Sequence, residues 1–203
     1  MKIKIMIAAF VLFLSPIAFA DNYILTIDGE SHEISLDKEV NLKIDNKPVA
    51  VKLQLKDILI YKTDSFSFEH ARQYAPSTTN LGDGVYQTVM MTPLGSVIMI
   101  QEYQTMNPKN LIDIMIDEVT KEERDYGYKI ESVENAIKLS DGKTLKGKVV
   151  TSKYRGSDIK RYFYTYGIKD AGLFIMTQID YESEPNAESV IEGVINSLKV
   201  TMN

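Results

Sequence analysis

The sequence predicts an α+β protein: an antiparallel, meandering β-sheet packed against two main amphipathic helices, preceded by a small N-terminal β unit of two hairpins. Three observations predict it. Past residue 20, alternating apolar and polar runs are separated by turn sequences such as Asp28-Gly29, Asp45-Asn46 and Asp141-Gly142, which is the pattern of hairpins. Two stretches, after Asn107 and after Pro185, instead carry apolar residues at helical spacing. Those two stripes need a surface to bury against, and a half-apolar sheet supplies it.

The elements follow in order. MKIKIMIAAFVLFLSPIAFA joins a basic start, an apolar run, a Ser-Pro break and small residues before Asp21, so a signal peptide over residues 1–20, cleaved after Ala20, is expected. The run is too short, and too broken by Pro16, for a membrane span, and no second run approaches that length. Residues 21–56 hold a repeat: YILTIDGESHEISL and VNLKIDNKPVAVKL align at an offset of 17, Leu25 with Leu42, Asp28 with Asp45 and Leu36 with Leu53. Each copy reads as a hairpin around Asp-Gly or Asp-Asn. Residues 57–203 form the main domain. Ile58 to Thr63 reads as a strand, Ser65 to Gly84 as a long irregular connection carrying His70, and VYQTVMMT and SVIMIQEYQ as two strands around Pro93-Leu94-Gly95.

A helix is expected next, capped by Asn107 with Pro108 at its first position, with Leu111, Ile112, Met115, Ile116 and Val119 as its apolar stripe, ending at Gly127. Its acidic remainder reads as a solvated face. A meander follows, broken at Asp141-Gly142, at Gly156-Ser157-Asp158 and at Lys169 to Gly172. The closing helix after Pro185 presents Val190, Ile191, Val194, Ile195 and Leu198 on one face.

Composition narrows the function. The 203 residues contain no cysteine, so packing rather than disulfides must stabilise an exported chain, and a lipid-anchored cysteine is excluded. Acidic residues outnumber basic ones 28 to 23. Removal of the leader would take two of those cations away. An acidic balance opposes nucleic-acid binding, which needs many phosphate-facing cations. Periplasmic localisation is the expectation.

The order of strand and aromatic segment (Ile58 to Phe68), Pro-Gly hairpin (Val85 to Gln104), capped helix (Asn107), meander through Gly147 and Tyr162, and closing INSLKV (Ile195 to Val200) resembles the PsbP-like superfamily. That superfamily includes the extrinsic PsbP subunit of photosystem II, a Ran-binding nuclear import factor and bacterial DcrB-type envelope proteins. The resemblance covers about residues 57–203. It implies an α/β/α sandwich and a noncatalytic accessory or binding protein.

Catalytic signals are thin. His32 and His70 are the only imidazoles, no Gly-x-Ser-x-Gly is present, and Glu69-His70 lacks companions at metal-ligand spacing, so no metal or cofactor is expected. A carboxylate-dependent hydrolase would draw on Asp64, Glu69 and Glu102. The leading expectation is an accessory protein that docks onto an envelope protein partner, and the alternative is a binder of a small apolar or amphipathic ligand lined by Met90, Met99, Phe174 and Met176, side chains that two packed helices also claim as core. The most suggestive run is KYRGSDIKRYFYTYG, Lys153 to Gly167. Strand alternation sets Lys160, Tyr162, Tyr164 and Tyr166 on one face and Ile159, Arg161, Phe163 and Thr165 on the other. Tyr162, Tyr164, Tyr166 and Arg161, with His70 and Glu69, are the candidate binding residues.

Overall fold

The computed structural model describes residues 23–179 and 187–202. The expected leader lies outside the described residues. The chain divides into two compact units, Met1–Leu55 and Lys56–Asn203.

In the first unit, β1 (Tyr23–Ile27) pairs antiparallel with β2 (Glu30–Ile34), and β3 (Glu39–Ile44) with β4 (Lys47–Lys52). Both hairpins close through two residues at positive φ, Asp28 and Gly29 in one and Asp45 and Asn46 in the other. Such turns match the right-handed twist of strands and favour Asp, Asn and Gly, the types able to adopt that backbone. The repeat is structural as well as sequential, because its equivalent leucines meet: Leu36 and Leu53 form a parallel bridge, and Asp37 N–H donates to the Leu53 carbonyl at 2.9 Å. Ile34 and Leu42 are buried within this unit.

The second unit is built on a seven-stranded sheet. Its strands are β7 (Ser77–Gly82), β8 (Val85–Met91), β9 (Val97–Tyr103), β10 (Lys129–Lys138), β11 (Thr144–Tyr154), β12 (Ser157–Gly167) and β13 (Gly172–Ile179), in the spatial order β10-β11-β12-β13-β9-β8-β7, antiparallel throughout. A three-stranded sheet, β14-β6-β5, joins β5 (Ile58–Lys62), β6 (Phe66–Ala71) and β14 (Lys199–Val200). Among the described residues three α-helices complete the unit: α1 (Ile112–Val119), α2 (Lys121–Asp125) and α3 (Ala187–Ser197).

Each face of the large sheet has its own core. On one, Ile191 and Val194 of α3, with Leu198 just beyond its end, pack with Phe66, Phe68, Met90, Ile98, Tyr164 and Ile175. On the other, α1 packs Ile116, with Met115 and Val119, on Tyr103, Val150, Phe163 and Phe174. The strict alternation of β13, Leu173 and Ile175 toward α3 and Phe174 and Met176 toward α1, is what separates the two cores.

Four expectations are corrected. Ser65 to Gly84 is not an irregular connection: it holds β6 and β7. The helix after Asn107 begins as a 3₁₀ turn over Pro108–Leu111, with the Asn107 side chain accepting from Lys109 N–H at 3.1 Å, and is interrupted at Thr120. The fully buried Thr120 hydroxyl donates back to the Ile116 carbonyl at 2.6 Å, an alternative to helix continuation. Gly127 does end the second segment, at positive φ, with Gly127 N–H on the Arg124 carbonyl and Tyr128 N–H on the Glu123 carbonyl, a Schellman closure. The β11–β12 turn is Arg155-Gly156, both at positive φ, one residue earlier than expected. The closing helix stops at Ser197, and Lys199-Val200 form β14 against Ser67 and Phe66.

Candidate functional site

The tyrosine face of β12 lies under α3. Tyr164 is buried, Tyr162 is half-buried, and their rings stack with centroids 6.4 Å apart and planes 20° from parallel. Between them, α3 and β10 lies a cavity of about 310 Å³ lined by Asn135, Ile137, Tyr162, Tyr164, Thr177, Ile179, Glu188, Ile191, Glu192, Ile195 and Asn196. A shallower depression shares Ile137, Ile195 and Asn196 with it and runs on past Leu139 and Ser140.

The floor of this cavity depends on a glycine. Asn135, Gly147 and Tyr164 stand in register across β10, β11 and β12. Because Gly147 has no side chain, Asn135 Nδ2 reaches across it and donates to the Tyr164 hydroxyl at 2.8 Å. A Cβ at Gly147 would lie 1.8 Å from the Phe163 carbonyl oxygen, so no other residue fits without moving the strands apart. Burial, aided by Tyr162, pushes the Tyr164 hydroxyl up to about 12 against the lowering effect of the Asn135 bond. It is a neutral hydroxyl over the whole physiological range. Lys160 Nζ stands 5.2 Å from the Tyr162 ring centroid, a cation–π contact on the same strand face.

The other predicted residues are dispersed. Tyr166 packs at the edge of the same core and lines a separate groove with Lys109, Ile112 and Lys146. Arg161, expected as an exposed anchor, points to the opposite face and is buried beneath α2. Its guanidinium donates to both Glu123 carboxylate oxygens, at 2.6 and 3.0 Å, and to Gln178 Oε1 at 2.7 Å. Burial alone would raise the Glu123 carboxyl, but the hydrogen bonds and charge of Arg161, with the nearby Ser152 hydroxyl, hold it below its ordinary value. That fully buried hydroxyl approaches the carboxylate without completing a well-aligned hydrogen bond. Glu123 therefore leaves the solvated acidic face expected for it and ties α2 to the sheet.

His70 is on β6 rather than in a loop, and it is buried. Its ring meets Phe68 edge-on at 6.2 Å, and Nδ1 lies 3.0 Å from the Ala71 carbonyl, which fixes Nδ1 as the donor. Glu69, its neighbour, faces outward opposite Ile60, with its backbone N–H on Ser197 Oγ at 2.9 Å. The carboxylates weighed for hydrolysis differ in setting, Asp64 and Glu69 exposed and Glu102 buried. Glu102 is buried and accepts from Ser65 Oγ at 2.6 Å and Gln104 Nε2 at 3.3 Å, and Asp64 contributes its backbone carbonyl to Thr201. Among the described residues no group of three His, Cys, Asp or Glu side chains could hold a metal ion. Met90 belongs to the α3-side core and Met99, Phe174 and Met176 to the α1-side core, so they line no common cavity.

The outer face of the small sheet contrasts with these packed surfaces. The strand order leaves one edge of β5 unpaired among the described residues, and Ile58 and Ile60 are 52% and 70% exposed. Tyr61, between Ile60 and Lys62, turns inward onto Phe66 and Phe68 and holds the strand in place. Its hydroxyl meets the Thr78 and Thr88 hydroxyls, which tie β5 to β7 and β8.

No family model matches the sequence, and no curated protein matches it. Solved structures do. Cyanobacterial PsbP (CyanoP) from Synechocystis sp. PCC 6803 is similar over 72% of this chain and 94% of its own, with 10% identity and a TM-score of 0.51. A Bacteroides thetaiotaomicron protein is similar over 68% of this chain and 46% of its own, with 10% identity and a TM-score of 0.36. The chain has the PsbP-like fold.

Proposed function

Starting from that fold, we propose that this chain is an exported, noncatalytic accessory protein of the cell envelope that acts by docking onto a protein partner. The observation that carries the reading is the unpaired β5 edge with Ile58 and Ile60 on its outer face. An extended segment of a partner can add to such an edge through main-chain hydrogen bonds, while outward apolar side chains supply the anchoring contacts. Glu69 and Lys62 flank the isoleucines and would form the polar rim of the contact. His70 and Glu102 are buried and engaged by neighbouring groups, which supports a noncatalytic role. Among the described residues no helix is long and apolar enough to cross a membrane.

The test places a photo-crosslinking amino acid at position 60, and as a control at Glu118, in the full-length protein expressed in its own cells. A discrete adduct with one envelope protein is expected from position 60 alone. Purified partner should then bind the wild type and lose at least about tenfold in affinity for an Ile58→Lys, Ile60→Lys variant. Equal adducts from both positions, or unchanged binding by the variant, would refute the docking surface. The exported protein is expected to start at Asp21, which N-terminal sequencing reads directly.

A second reading, binding of a small amphipathic ligand, is favoured by the cavity under α3, whose volume is at the small end of the range for ligand sites.

A further inference from the structure

Backbone direction and charge along β5 specify an occupant for its open edge. We infer that, until a partner docks, this edge is covered by the β5 edge of a second copy of the chain, antiparallel about a two-fold axis at Ile60, and that the partner's segment must displace it. The inference rests on the reading of the edge as a docking surface and adds the contact that holds that surface closed.

The main chain is set for such a pairing. Arg72 N–H donates to the Asp57 carbonyl at 2.8 Å and Thr63 N–H to the Phe66 carbonyl at 2.9 Å, so odd-numbered residues along β5 turn their polar groups toward β6. In an antiparallel strand the amide and carbonyl of one residue point to the same side, and the side alternates from residue to residue. Ile58, Ile60 and Lys62 therefore aim both groups at the open edge, where no strand among the described residues receives them. A strand left this way is a template for another chain, and natural edges are commonly blunted by proline or a bulge. β5 contains no proline, and its register with β6 runs without a bulge.

Charge and exposure select the register. Two-fold pairing keeps each face of the strand on its own side, so even-numbered residues oppose even-numbered ones. Centred on Leu59, the pairing would set Lys56 against Lys62 of the second copy, and centred on Lys62 it would bring two Lys62 side chains together, both destabilising. Centred on Ile58 or Tyr61, it would set Ile60, 70% exposed, against a lysine. Centred on Ile60, the whole strand overlaps. Ile60 then meets the second Ile60, Ile58 meets Lys62, whose aliphatic stem covers it, and the exposed Lys56 meets the exposed Asp64 at both ends. Glu69, beside Ile60 on β6, stays three strand spacings from the second Glu69, about 14 Å, beyond the screening length of physiological salt.

The chain has no cysteine, so single introduced cysteines report the register in the full-length mature protein. Ile60→Cys would place two thiols on a directly opposed pair with Cα atoms about 5.5 Å apart, within disulfide reach, whereas Ile58→Cys would place them about 14 Å apart, outside it. Mild oxidation of the purified protein is expected to give a covalent dimer from Ile60→Cys alone. Sedimentation of the cysteine-free protein over a concentration series should show a reversible dimer. Lys56→Asp should weaken that dimer about fivefold, and adding Asp64→Lys to the same chain should restore it. A monomer at every concentration, a dimer indifferent to Lys56→Asp, or equal oxidation of the two cysteine variants overturns the inference. Each of those results leaves the docking reading in place when position 60 still yields its adduct with an envelope protein in cells. An Ile60→Cys dimer without that adduct upholds the self-pairing and refutes the docking.

Discussion

Replacing Arg161 by methionine keeps most of the side chain's volume and removes its charge. It also isolates Glu123, whose side chain is 14% exposed beside an arginine 8% exposed. Breaking a fully buried ion pair costs about 3–5 kcal/mol, because the remaining charge must be desolvated or neutralised. Here Glu123 keeps a solvent-facing edge and the Ser152 hydroxyl nearby, which places the expected loss at about 2–4 kcal/mol. Glu123→Gln retains a hydrogen-bonding side chain opposite the guanidinium and should cost less, about 1–3 kcal/mol. The double replacement Glu123→Leu, Arg161→Met leaves no orphan charge and is expected within about 1.5 kcal/mol of wild type. Urea unfolding followed by tyrosine fluorescence and circular dichroism measures all three, since the chain has twelve tyrosines and no tryptophan. The Glu123 carboxyl is lowered from 4.5, so its stabilisation is present above that pH and is lost as pH falls through the lower folded-state value. The gap between wild type and Glu123→Gln should therefore narrow below about pH 4.5. Single variants within about 0.5 kcal/mol of wild type, or a double variant as unstable as the two losses added, would refute the pair as a coupled tether.

Two further outcomes follow from the same geometry. Gly147→Ala and Gly167→Ala should each destabilise by about 3 kcal/mol or more, because their Cβ atoms would lie 1.8 Å from the Phe163 carbonyl oxygen and 2.0 Å from Asn107 Oδ1. An Asn107→Ala partner change should recover part of the Gly167 loss and none of the Gly147 loss, read by thermal unfolding. Tyr164 should be among the last tyrosines to ionise in a spectrophotometric titration. With its folded-state value at about 12, its contribution is complete below pH 10 and falls as pH rises from there toward 12. A Tyr164→Phe protein should lose that alkaline decline, and an unchanged profile would refute the assignment.

The parts of this fold that were legible were those with a period of their own. Alternation in residues 129–179 marks the meander, and Ile112, Met115, Ile116 and Val119 mark α1. β6 carried the same signal in Phe66 and Phe68, but the next inward position is His70, a polar residue that breaks the pattern while packing on Phe68. β7 is exposed along its whole length and carries no period at all. Its pairing with β8 makes it a strand, and that information is not local.

The candidate site divides the same way. Alternation correctly set Tyr162 and Tyr164 opposite Arg161 and Phe163, yet Arg161 finds Glu123 and Tyr164 finds Asn135 only across the sheet. The one sequence clue to the latter contact was a glycine at 147 inside a strand, a mark of close approach by another group. Glu188 and Glu192 were invisible as site residues, since acids at the start of a helix are ordinary.

The short strand β14 has a consequence for how the protein comes into being. Its two residues pair with Ser67 and Phe66, and Val200 is also held from the side by the Asp141 carboxylate at 3.0 Å and by Lys143. A sheet begun at residue 58 is thus finished by residue 200. During synthesis the β5–β6 hairpin must wait, with the Ser65 carbonyl lacking the Thr201 N–H that it accepts in the finished fold, until almost the whole second unit has been made. Chains whose closing contacts span such distances fold slowly. A slow closure keeps the newly made polypeptide open for longer, the state in which it can still be threaded through a narrow channel or captured by a chaperone.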